Sequence, residues 1–174
     1  FLKILKSHFG SQLDWYGNGV NEIQRKHEGI LDYKYHIVLE NESRNNLISE
    51  KIFDSMLGLS VPIYYGAPNI AEYFNKNSLH TIDINNAAKS IEIIEDIIKN
   101  DQYEQTLNYL IESKNKVLTQ YNFVNRIVNI IENSTKDAEK SFVYSLNSSN
   151  YYWKKYTPNK LKIKRKIKRK LRIS

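Results

Sequence analysis

Hydrophobic and polar positions alternate along this chain in blocks that change period, and each change marks the edge of an element. Residues 1–9 place Leu2, Leu5 and Phe9 among basic residues, the spacing of a helix end, and Gly10 stops it. Residues 12–16 read as a short strand, followed by a Gly17-Asn18-Gly19 turn. Residues 33–39 form a continuous apolar run rich in β-formers, which predicts a buried strand. A polar loop comes next. Ser49 then precedes Glu50 and Lys51, and Ile52, Phe53, Met56 and Leu57 fall at helical spacing with Gly58 as a stop. Residues 61–65 predict a second buried strand, and the Gly66-Ala67-Pro68 turn after it is expected to open another helix. A third strand is expected at 79–82. Residues 87–99 set Ile91, Ile94, Ile97 and Ile98 opposite charges, an amphipathic helix. The apolar positions from Leu107 to Ile131 predict one or two more.

Strand and helix thus alternate from Tyr33 onward, which predicts an α/β fold with a largely parallel, Rossmann-like sheet. The order also sets Glu40, Asn41, Glu50, Lys51 and Gly66 near the C-terminal ends of neighbouring strands, where an open α/β sheet takes its ligand. We expect residues 1–133 to form this lobe, 134–159 a Ser/Asn/Lys-rich linker with an aromatic segment, and 160–174 a basic tail.

Composition narrows the classes. A chain of 174 residues with 41% hydrophobic and 26% charged residues can bury a core of its own. It has no cysteine, so disulfides and thiolate metal sites are excluded. No apolar run approaches the roughly 20 residues that span a bilayer, and no signal peptide is visible. The chain opens at Phe1 rather than Met, from which we expect a piece of a longer protein. Nine Lys/Arg lie between Lys160 and Arg172. Taking those nine from the net +7 leaves −2 for the remainder, so the basic character belongs to the tail.

The residues between Tyr33 and Phe74 carry a resemblance. Tyr33-Lys34-Tyr35, Leu39-Glu40-Asn41, Ser49-Glu50-Lys51, Val61-Pro62 and Gly66 match in order and spacing a run like YKF, FEN, Y-x-TEK and VP-x-x-x-G. Asp14-Trp15-Tyr16-Gly17 is similar to the strand-then-glycine segment upstream of it. The chain resembles the C-terminal, donor-binding half of the α-1,3/1,4-fucosyltransferases, glycosyltransferase family 10, over roughly residues 9–100. Three positions depart from the pattern. Leu47 replaces a tyrosine, Leu39 a phenylalanine, and Ser49 a threonine whose hydroxyl it keeps.

The resemblance implies the C-terminal lobe of a GT-B glycosyltransferase, with GDP-β-L-fucose as donor substrate and a glycan hydroxyl as acceptor. It implies an inverting, single-displacement transfer of L-fucose in α-1,3/1,4 linkage. Donor binding is expected of Glu40, Asn41, Ser49, Glu50, Lys51 and Gly66. A carboxylate such as Glu50 accepts from both ribose hydroxyls, and Lys51 is a point charge suited to phosphate and to a departing GDP. Asn41 donates and accepts at once, and the first turn of a helix offers free N–H groups to an anion. The resemblance places the catalytic base, an acid, and a conserved-type arginine in the part of the protein before Phe1, so no catalytic residue is assigned here. No cofactor is required, and no motif calls for a metal; in particular, no DxD pair stands in a donor-like context.

His8, His27, His36 and His80 lack metal-binding spacing, and a core or cross-strand role is expected of His36. One of Tyr64 and Tyr65, at the strand end, is a candidate to face the donor. In the tail, Ile163, Ile167 and Leu171 make a narrow apolar stripe among Lys164, Arg165, Lys168 and Arg169, the pattern of a helix lying on an anionic membrane surface. A nucleic-acid arm and a solvated end are its alternatives, and nucleic acid is not expected as a partner. The membrane reading places the protein at the cytoplasmic face of a bacterial membrane. For the whole chain the rival readings are a GT-B transferase with a different nucleotide sugar, and a non-catalytic membrane-surface module.

Overall fold

The structure is a computed structural model that describes residues 1–134 except Asn18. Phe1–Ile131 form one compact unit, and Glu132–Ser174 make a second. What is expected of residues 135–174, including the linker and the tail with Lys164, Arg165, Lys168 and Arg169, lies outside the described residues.

Three parallel strands form the sheet in the order β1-β2-β3: β1 at Tyr35–Leu39, β2 at Val61–Tyr65, and β3 at His80–Thr81. Tyr35 is in register with Val61 and Leu39 with Tyr65, while Ile63 and Tyr64 pair with His80 and Thr81. Helix α1 (Leu2–Phe9) precedes the sheet, and α2 (Glu50–Leu57) makes the crossover between β1 and β2. The helices α3 (Ala87–Lys99), α4 (Tyr103–Lys116) and α5 (Phe123–Ser134) follow β3.

β2 is the middle strand, and its first four residues are buried, because helices cover both of its faces. On one face Val38 and its cross-strand neighbour Tyr64 pack with Ile52 and Met56 of α2 and Leu110 of α4. On the other, Ile63 packs with Leu5 of α1 and with Ile94 and Ile97 of α3. Each fully buried aliphatic side chain of this kind contributes about 1.5–3 kcal/mol. The helical spacing of Ile94 and Ile97, and of Thr106, Leu110 and Ser113, sets the buried stripes of α3 and α4.

Local signals set the ends of these helices. Ser49 caps α2 by accepting from the Lys51 N–H, and at the other end the Gly58 N–H donates to the Asp54 carbonyl and the Leu59 N–H to the Met56 carbonyl. Asn86 caps α3 by accepting from the Lys89 N–H. Gly10 takes φ 54° after α1, a conformation glycine adopts without cost.

Three expectations need correction. Residues 12–16 form no strand: Gly10–Gln12 is a 3₁₀ turn, and the Leu13 carbonyl accepts from the Lys6 ammonium at 2.5 Å instead of joining a ladder. The turn after β2 opens no α-helix. It leads to a single 3₁₀ turn, Ile70–Glu72, because Asn69 bonds across to Asn46 rather than capping its own segment. β3 is shorter than 79–82, although the Ile82 N–H still reaches the Tyr64 carbonyl at 2.9 Å. The apolar region 107–131 divides into α4, a π turn at Val117–Tyr121, and α5.

Candidate functional site

Both long strands end at the same side of the sheet, and the two loops that leave them form the site. β1 stops at Leu39, and the Glu40 N–H donates to the Tyr65 carbonyl at 2.8 Å, one last rung across to β2. This fixes the Glu40 backbone. Its side chain, 3% exposed, turns inward under the start of α2.

There the carboxylate gathers three donors. Its Oε1 accepts from the Ser49 N–H at 2.9 Å and the Ser49 hydroxyl at 2.8 Å, and its Oε2 from the Lys51 ammonium at 3.4 Å. The Ser49 Oγ in turn accepts from the Lys51 N–H at 3.3 Å. Lys51 Nζ also donates to Asn41 Oδ1 at 3.1 Å. The order of exposure is informative: Glu40 is sealed beneath, while the Lys51 side chain is 31% exposed and Asn41 lies at the surface. Glu40 therefore holds Ser49 and Lys51 in place, and Lys51 and Asn41 are the groups that meet solvent. The contact to Glu40, at 3.4 Å, is long for a hydrogen bond, while that to Asn41, at 3.1 Å, is ordinary.

Gly66 bounds the other side. A Cβ there would lie 2.2 Å from the Tyr64 hydroxyl and 2.6 Å from Glu40 Cγ, so glycine is what lets the Glu40 carboxylate and the β2 loop pack together. The Tyr64 hydroxyl accepts from the Ala67 N–H at 2.9 Å, and its residue is 1% exposed. Burial pushes this phenol up from its ordinary pKa and keeps it neutral. Tyr64 is thus part of the support, which leaves Tyr65, only partly buried, as the tyrosine of the pair with exposed surface.

Five of the six sequence-predicted residues thus converge: Glu40, Asn41, Ser49, Lys51 and Gly66. Glu50 stands apart. It is exposed in the first turn of α2, and its carboxylate lies 3.9 Å from Lys26 Nζ, which also pairs with Asp54 one turn on. Lys26 lines a separate cleft of about 600 Å³ beside β1, with Trp15, Tyr16, Tyr33 and His36. In that cleft the Tyr33 hydroxyl donates to Asp14 at 2.7 Å and contacts the Tyr16 hydroxyl at 2.5 Å. The Tyr16 bond first, and then Asp14, hold the Tyr33 phenol well above its usual range. Asp14 and Tyr16 of the Asp-Trp-Tyr-Gly segment are thus tied to the root of β1.

Sequence reasoning missed Ser43, Asn46, Asn69 and Tyr73, which bridge the two loops. The one local signal was Asn46, since asparagine tolerates positive φ and its φ is 65°. His36 Nδ1 and His80 Nε2 are enclosed with no hydrogen-bond partner among the described residues; His36 stands opposite Pro62 of β2, partly buried on the wall of the cleft, a cross-strand place rather than a core one. No group of three or more His, Asp or Glu suited to a metal occurs among the described residues.

Chemically, the loops present a cation, an amide and a helix N-terminus at one strand-end rim, an arrangement that can hold an anion and its hydroxyl-bearing substituents. Comparison with known proteins bears on the family. The profile of Glycosyltransferase family 10 (fucosyltransferase) C-term matches residues 1–148. An alpha-(1,3)-fucosyltransferase, FucT, of Helicobacter pylori is 32% identical over 73 residues, 41% of this chain and 15% of that protein. A putative fucosyltransferase-like protein of Arabidopsis thaliana is 31% identical over 80 residues, 45% of this chain and 14% of its own length. The crystal structure of an alpha1,3-fucosyltransferase with GDP-fucose superposes with a TM-score of 0.52 at 25% identity, covering 75% of this chain and 39% of that one. The chain therefore spans about one-seventh of the length of these curated relatives. With the family's profile matching 148 of its 174 residues and its parallel sheet matching a fucosyltransferase, the chain belongs to glycosyltransferase family 10, the fucosyltransferases, in their C-terminal region.

Proposed function

We propose that this chain is the donor-binding part of an inverting fucosyltransferase that moves L-fucose from GDP-fucose to a glycan hydroxyl, that of an N-acetylglucosamine or glucose unit. The observation that carries the reading is the Glu40–Ser49–Lys51–Asn41 network at the strand-end rim. In this reading the donor's diphosphate displaces the Glu40 and Asn41 contacts of the Lys51 ammonium and takes it as a partner. Asn41 and the first N–H groups of α2 supply further donors, and the exposed Glu50 accepts from the ribose hydroxyls. The solved alpha1,3-fucosyltransferase is a structure with GDP-fucose, which supports the same donor.

The reaction is a single displacement at the anomeric carbon. The acceptor oxygen forms a bond to that carbon as its bond to the β-phosphate oxygen breaks, through an oxocarbenium-like state. The acceptor proton goes to an acidic base outside this chain, and the electron pair leaves with GDP. Lys51 stabilises the charge that develops on the leaving group. The basic tail, with Lys164, Arg165, Lys168 and Arg169, serves in this reading to hold the enzyme on the anionic cytoplasmic face of a membrane.

Calorimetric titration of the full-length protein with GDP, UDP and CMP tests the donor. Tighter binding of GDP is expected. Equal binding of all three would overturn the GDP assignment and favour a different nucleotide sugar, a reading that Leu47 in place of the pattern's tyrosine keeps open.

A further inference from the structure

The two loops of the site are stitched together by side chains at the surface. Ser43 Oγ donates to the Gly66 carbonyl at 2.9 Å. The Asn46 N–H donates to Asn69 Oδ1 at 2.9 Å, and Asn69 Nδ2 returns a bond to Asn46 Oδ1 at 2.8 Å. The Tyr73 hydroxyl donates to the same Asn46 oxygen at 2.6 Å. Asn46 therefore takes part in three of the four bonds, and does so with its backbone at φ 65°.

That arrangement needs a reason. These groups lie at the surface, where water would satisfy them, so the network is not required to avoid a buried polar group. Exposed hydrogen bonds of this kind contribute little to folding stability, yet here they hold a non-glycine residue in the left-handed region. The network is also tied to the core. The Tyr73 ring packs against the first hydrophobic cluster and lies 6.3 Å from the Tyr121 ring. Its hydroxyl thus ties Asn46 to a side chain that packs on the core. The loop so held begins at Asn41 and ends at Ser49, and these residues, with Lys51 just beyond, present the cation and the amide.

We propose that Asn46 is a positioning residue: with Asn69 and Tyr73 it locks the β1–α2 loop against the loop after β2, so that Asn41 and Lys51 meet the donor's diphosphate in one prepared geometry. The inference rests on the reading of this rim as a nucleotide-sugar site. A loop that is already ordered loses less entropy on binding, and a binding-competent population near unity leaves the intrinsic affinity undiminished. Losing the lock should therefore raise the donor's Kd and KM more than it lowers kcat.

The test uses the full-length protein and its Asn46→Gly, Tyr73→Phe and combined variants, with GDP as the calorimetric probe and GDP-fucose for the kinetics. Glycine tolerates the positive φ, so Asn46→Gly removes the side-chain bonds without backbone strain. We expect Asn46→Gly to weaken GDP binding about fivefold to tenfold and Tyr73→Phe about threefold, the range of one or two lost neutral hydrogen bonds. The combined variant should match Asn46→Gly alone, because the Tyr73 bond ends on Asn46. A merely structural role would instead lower the melting temperature and the active fraction while the Kd of the folded molecules stayed the same. Wild-type binding of GDP with variants within twofold of it would overturn this inference alone. Failure of the wild type to bind GDP would overturn the donor reading, and this inference with it.

Discussion

Glu40 would pass in a sequence for a ligand-facing acid, and its surroundings give it another task. With both carboxylate oxygens turned to Ser49 and one also to Lys51, it holds those two residues in place. Gly66 is legible as a turn glycine, but the reason for it is tertiary: its missing Cβ makes room for Glu40 and Tyr64. Gly66→Ala should destabilise the protein by about 1–3 kcal/mol, the usual cost of overpacking, read as a lower urea midpoint. Tyr64→Phe in the same background should recover only a small part of the loss, since the ring carbon Cζ stays 2.5 Å from the new methyl once the hydroxyl at 2.2 Å is gone; full recovery would mean that the hydroxyl alone is the controlling clash. Two partly buried histidines predict a pH effect. Burial lowers the pKa of His36 and His80 from the ordinary 6.5; for His36 the nearby Lys26 adds to this and Asp54 opposes it, and for His80 Asp96 opposes it. The unfolded chain therefore binds protons that the folded chain refuses, so stability is full above about 6.5 and falls as pH drops toward the depressed folded values. Melting temperatures between pH 7.5 and 5.5 should decline, and His36→Gln with His80→Gln should flatten the slope.

At the scale of elements, α2 shows how a local signal takes on a second role. Ser49 is a helix cap that any reading of Ser-Glu-Lys would mark, and the structure makes it the link between Glu40 and α2. Ser49→Ala should therefore cost more than the cap alone, about 2–3 kcal/mol rather than the usual ~1, because a buried carboxylate loses its hydroxyl donor as well. Denaturant titration checks this, and Ser49→Thr should restore most of the loss. The elements that were legible, α3 and β2 above all, are those whose apolar period agrees with their burial. The segment 12–16 failed as a strand for a different reason. Its pattern is β-like, but a strand exists only through a partner, and the Leu13 carbonyl is bonded to Lys6 instead.

For the whole molecule, net charge and fold lie in separate parts of the chain. The lobe owes its site to the sheet, whereas the net positive charge comes from residues beyond those described. Among the described residues, no helix is long and apolar enough to cross a membrane. If the tail holds the enzyme to an anionic surface at about 1 kcal/mol per basic residue, removing residues 158–174 should abolish co-sedimentation with phosphatidylserine-containing liposomes at low salt. High salt should weaken binding of the intact protein in the same assay. Equal sedimentation of both forms would remove the membrane role.

By itself the sequence determined the order of β1, α2, β2, β3 and α3, the α/β class and the family, because periodicity and the spacing of short motifs are local and survive without coordinates. It also marked five residues that the fold brings together. Tertiary structure alone decided which of them meet solvent, Lys51 and Asn41, and which lies beneath them, Glu40. It alone separated Glu50 from that cluster and joined Asn46 to Asn69 and Tyr73, 23 and 27 residues away. The physical reason is the same in each case. Burial and side-chain direction depend on what a neighbouring strand or loop places opposite a residue, and no local pattern records that partner.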